Sequence, residues 1–90
     1  MRAISPEFKS VVSGQIRLAR KRCGLTQRAV AVALDVDTMR VSDWERGASV
    51  PNTEQMAQLA ELFGVSLDWL LRGDGHETSV DPASTPDEAA

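Results

Sequence analysis

Positions 38 to 46 read Thr38-Met39-Arg40-Val41-Ser42-Asp43-Trp44-Glu45-Arg46. At a helical step of about 100° per residue, Thr38, Met39, Ser42, Asp43 and Arg46 share one side, and Val41 and Trp44 point the other way. The outward set combines hydroxyls, a forked cation, a carboxylate and an apolar tip. These groups answer the edges of base pairs in a duplex groove. Met39 and the Thr38 methyl can meet a thymine methyl, the hydroxyls can serve either base, Arg40 can grip a guanine or a phosphate, and Asp43 can accept from cytosine N4. Two of these residues also have a structural alternative. Asp43 can pair with Arg40 or Arg46 three residues away, and Met39 can pack along the helix edge.

Covalent and metal chemistry find no support. The sequence holds one histidine, His76, and one cysteine, Cys23, so neither a metal cluster nor a nucleophile–base pair can be assembled from them. The carboxylates are scattered or gathered near the C-terminus. The expectation is a binding protein with no enzymatic activity, cofactor or metal. A single cysteine excludes an intrachain disulfide and fits a reducing cytoplasm. The longest apolar run, Ala29 to Leu34, is far short of the ~20 residues a membrane span needs, and no secretory signal follows Met1.

The net charge of −3 counts against binding a polyanion until its distribution is considered. Residues 1–47 carry nine bases against five acids. Residues 74–90 carry Asp74, Glu77, Asp81, Asp87 and Glu88 and no base. The positive half contains the stretch with groove-reading chemistry, as an electrostatic footprint requires.

Five helices are needed to position these residues. Ser5-Pro6-Glu7 is a helix start, with Ser5 capping and Pro6 at the first position, although Gly14 leaves a start near Ser10 or Ser13 open. This helix runs to about Arg22 with Ile16, Ala19 and Cys23 on one face, and Gly24 stops it. Thr26 caps a second helix over Gln27–Leu34 that buries Val30, Ala31 and Leu34. Asp35-Val36-Asp37 makes a tight turn in which Asp35 takes the left-handed backbone usually given to glycine. Asp37 caps the third helix, Thr38–Arg46, which Gly47 ends. Asn52 and Gln55 form a capping box for a fourth helix with Met56, Leu59, Ala60 and Phe63 as its core stripe. Ser66 opens a short fifth helix through Leu71. The division is an N-terminal extension or start of the first helix over 1–9, a domain over 10–73, and a disordered acidic tail over 74–90.

Ile16-Arg17, Ala19-Arg20, Gly24-Leu25-Thr26-Gln27, Val36, Val41, Trp44-Glu45-Arg46-Gly47, Pro51 and Gly64-Val65-Ser66-Leu67 resemble the Cro/CI-type (lambda-repressor-like, XRE) helix-turn-helix family. The resemblance covers roughly residues 13–73 and implies an all-α, five-helix DNA-binding domain of a bacterial or phage transcription regulator. It implies that Thr38, Met39, Ser42 and Asp43 face base edges and that Gln27 holds a DNA phosphate. It implies too that Arg20 and Glu45 form a partly buried structural ion pair. The departures are Asp35 for glycine, Asp37 for serine, and Asp43 where a basic or amide residue is common.

Around this core of residues the sequence offers further phosphate candidates in Thr26, Arg28, Arg46, Ser49 and Asn52. Arg17, Lys21 and Arg22 read mainly as a solvated helix face. One module spans few base pairs, so a homodimer on an inverted-repeat operator is expected, acting as a repressor or autoregulator in the cytoplasm at the nucleoid. Trp69, Leu70, Leu71 and Val50 are the interface candidates, unless two of them close the monomer core. A second reading is an antitoxin-like regulator whose acidic tail binds a protein partner, such as a toxin or antirepressor.

Overall fold

Side-chain caps open three of the five helices among the described residues. The computed structural model describes residues 6–73, which fold into α1 (Pro6–Arg22), α2 (Gln27–Leu34), α3 (Thr38–Arg46), α4 (Thr53–Phe63) and α5 (Leu67–Arg72). Ser5 and the acidic stretch from Asp74 lie outside the described residues. Helix α1 begins at Pro6 and runs unbroken through Gly14, so residues 6–9 belong to it. The Thr26 hydroxyl accepts from Ala29 N at 3.0 Å, and Ser66 Oγ accepts from Trp69 N at 2.9 Å. Asn52 and Gln55 make both bonds of a capping box, at 2.8 and 2.9 Å. Asp37 occupies the cap position of α3, but its side chain makes no cap hydrogen bond; its main-chain carbonyl takes the Arg40 N–H at 2.9 Å instead.

The corner between α2 and α3 turns on Asp35 at φ 59° and ψ 49°. Its N–H reaches back to the Ala31 and Val32 carbonyls, and Val36 N bonds to Ala31 O at 2.9 Å. A short polar side chain tolerates this left-handed backbone better than most, which lets the corner form without glycine. Gly47 ends α3 in the same conformation at φ 77°.

The core is assembled by α1 lying across both α3 and α5 while α2 packs on α3. Val12, Ile16 and Ala19 of α1 meet Val30, Val41, Trp44, Leu59, Trp69 and Leu70 in one cluster. Cys23 falls outside it. Helix α1 ends one residue earlier, and the turn at Gly24 carries Cys23 to the surface.

The fifth helix corrects the interface candidates. Trp69 is 1% exposed and Leu70 0%, so both close the monomer core and keep no side-chain surface for a partner. Leu71 and Val50 are only half-buried at its edge. Gln15, buried among the apolar residues of α1, donates Nε2 to Trp69 O at 3.1 Å and ties the two helices together.

Candidate nucleic-acid interface

Helix α3 is held by its two apolar side chains. Val41 and Trp44 are fully buried, which turns the opposite side of the helix outward. Thr38, Met39, Arg40 and Arg46 are exposed on it, with Ser42 and Asp43 half-buried beside them. Met39 is 66% exposed, so helix-edge packing does not explain it. Isolated apolar side chains at the surface are ordinary, but this one stands at the centre of a polar stripe. About 100° per residue sets Met39 and Arg46 nearly in line, two turns apart, with Ser42 and Asp43 flanking them. Arg40 projects from the flank and has no ion-pair or hydrogen-bond partner among the described residues. Asp43 accepts from Arg46 Nη2, which settles its pairing in favour of Arg46 over Arg40.

Behind the stripe lies a polar clamp. Arg20 Nε donates to Glu45 Oε2 at 2.6 Å and Arg20 Nη2 to Glu45 Oε1 at 3.1 Å, with the two side chains 13% and 5% exposed. Arg20 Nη1 also donates to Leu25 O at 2.9 Å, so one guanidinium joins α1, the α1–α2 turn and α3. Hydrogen bonding to Glu45 raises the Arg20 pKa above its ordinary value, and burial opposes this only in part. Gln27 Nε2 donates to Glu45 Oε1 at 3.1 Å, which the sequence did not reveal. The glutamine at the N-terminus of α2 is thereby fixed in place by α3.

The remaining phosphate candidates divide. Arg28 is exposed beside Gln27, and α2 has no acid in its first turn, unlike α1 with Glu7, α4 with Glu54 and α5 with Asp68. Its positive end is therefore left for an anion. Thr26 spends its acceptor on the cap, and Asn52 Oδ1 does the same. Ser49 is a correction. Its hydroxyl is buried and has no hydrogen-bond partner, so it faces no phosphate in this conformation. Arg22, read as solvated, lies 5.8 Å from the centre of the Trp69 ring. Lys9, Ser10 and Ser13, to which the sequence assigned no part in binding, line a notch with Arg46 and Gly47. Their signal was the grouping at i, i+1 and i+4 on one side of α1. Among the described residues no group of histidine, cysteine and acidic side chains could hold a metal.

Two short helices meeting at a tight corner, with the second presenting a polar stripe, define a helix-turn-helix domain. The chain belongs to the helix-turn-helix family, in its Cro/CI-type form: the family's sequence model matches residues 16–70. The transcriptional regulator DicA of Escherichia coli (strain K12) is 36% identical over 81 residues, covering 89% of this chain and 60% of DicA. The repressor protein CI of Enterobacteria phage phi80 is 36% identical over 80 residues, covering 83% of this chain and 34% of CI. The structure is similar to that of the P22 c2 repressor in complex with synthetic operator 9T, at a TM-score of 0.66 and 33% identity over 70% of this chain and 96% of that one. The chain thus spans less than two thirds of the length of both regulators. No helix among the described residues is long and apolar enough to cross a membrane.

Proposed function

We propose that this chain is a sequence-specific, duplex-DNA-binding transcriptional regulator, a small repressor or autoregulator that lays α3 in the major groove of an inverted-repeat operator. The observation carrying this reading is the outward stripe Thr38–Met39–Ser42–Asp43–Arg46 on a helix clamped from behind by Trp44 and the Arg20–Glu45 pair. Rigid backing matters because base readout demands side chains held at fixed positions. Met39 supplies apolar contact to a thymine methyl, and Thr38 and Ser42 supply hydroxyls to base edges. Arg40, on the flank, reaches a phosphate or an outer guanine. Gln27 and Arg28 at the N-terminus of α2 take backbone phosphates and set the register of the helix in the groove.

A homodimer completes the reading. Val50 and Leu71, far apart in sequence, line one apolar groove of about 350 Å³ with Phe8, Pro51, Met56 and Leu67. Pairing two such grooves about a twofold axis presents two copies of α3 to successive major grooves, about 10 base pairs apart. A regulator acting on chromosomal operators works in the cytoplasm, at the nucleoid. The test is selection of bound sequences from random duplexes at low salt. An inverted repeat with that spacing is expected, and recovery of no consensus refutes the proposal.

A further inference from the structure

The N-terminal turns of α1 lie against the C-terminal end of α3. They meet at Ser13 and Gly47, where a Cβ added to Gly47 would stand 3.8 Å from Ser13 Oγ. Between them is a notch of about 240 Å³, lined by Pro6, Lys9, Ser10, Ser13, Arg46 and Gly47. That is several times the ~30 Å³ share of one water molecule. Two cations and two hydroxyls converge on it.

We infer that Lys9 and Ser10, near the start of α1, join Arg46 in holding one further phosphate of the DNA backbone, beyond those taken by Gln27 and Arg28. The inference rests on the proposed DNA-binding function. Lys9 has no ion-pair partner among the described residues, and the Ser10 hydroxyl has no hydrogen-bond partner among them. Ser13 Oγ donates to Ser10 O at 3.0 Å, so it braces the turn and leaves donation to its neighbours. Arg46 gives Nη2 to Asp43 and keeps its other N–H groups, since a guanidinium carries five. The acids nearby are Asp43, already engaged by Arg46, and Glu7, which lies about 200° around α1 from Lys9.

Position identifies the ligand as a backbone phosphodiester. Arg46 is nearly in line with Met39 and two turns, about 10 Å, further along α3. The major groove is about 12 Å wide, so a helix reading bases near its start brings its far end to the groove wall. The notch opens at that end.

The experiment measures binding of the full chain to its selected duplex across a salt series. Lys9→Ala is expected to lower the log–log salt slope by about 0.9 and to weaken binding about tenfold at ~0.1 M salt, with the consensus unchanged. Lys9→Arg retains the slope. Neutralising backbone positions singly with methylphosphonate should abolish the Lys9→Ala effect at one phosphate per half-site. An unaltered slope and affinity in Lys9→Ala, at unaltered melting temperature, overturns the inference. So does inorganic phosphate that shifts the Ser10 and Gly47 amides while Lys9→Ala leaves duplex binding intact, because the notch then takes free anion only. A wild-type chain without any consensus removes the DNA-binding proposal itself, an outcome separable from the others.

Discussion

Gln27 Nε2 lies 3.1 Å from Glu45 Oε1, the oxygen that also takes Arg20 Nη2. One carboxylate therefore serves both the framework and the proposed phosphate contact. Gln27 is positioned before DNA arrives, and the ordering of its side chain is not left to the complex.

Arg20→Ala leaves Glu45 buried and uncompensated. It should destabilise the domain by ~3–5 kcal/mol and lower the melting temperature by more than about 10 °C. Arg20→Lys should rescue little, because an ammonium cannot span both Glu45 oxygens and the Leu25 carbonyl. An unchanged melting temperature in Arg20→Ala contradicts the clamp.

Gln27→Ala removes one hydrogen bond to a carboxylate that Arg20 still holds. Stability should fall by only about 1 kcal/mol, while affinity falls alike for every duplex. Binding curves on several half-site variants check this. A loss confined to one base position would make Gln27 a base reader.

Gly14 lies in the interior of α1, and a Cβ there would meet nothing within 4 Å. Gly14→Ala should raise stability by about 0.5–1 kcal/mol through backbone entropy and helix propensity. Thermal melts decide it, and a destabilised variant would show that position 14 contacts something the fold conceals.

Leu71→Asp should shift the chain from dimer to monomer in sedimentation with modest loss of stability, because Leu71 is half-buried. Trp69→Asp, by contrast, should unfold the domain, since Trp69 is 1% exposed. A Leu71→Asp chain that dimerises as the parent does excludes the groove as the interface.

Much of this was legible in the residues. Thr26, Asn52 and Ser66 cap because their oxygens accept from N–H groups three residues on, a local relationship that spacing reveals. Asp35 at the corner was readable for a different local reason, that a short polar side chain tolerates the left-handed backbone the turn requires. Helix α5 was harder. Six residues make too few turns to show which side faces inward, so Trp69 and Leu70 could not be separated from Leu71. Arg20 and Glu45 are 25 residues apart, and only the family resemblance joined them. The Gln27–Glu45 bond and the burial of Ser49 depend on how helices pack, which no spacing encodes. Gln15 could have been found: Val12, Gln15, Ile16 and Ala19 form one helical stripe, and all four are buried.

The central claim is that the outward stripe of α3 reads bases. Comparing the sequences selected from random duplexes by the parent chain and by Met39→Ala tests it most directly. The account predicts that a thymine preference disappears at the same position in both half-sites, with the remaining consensus intact. An identical consensus from the two proteins would contradict it.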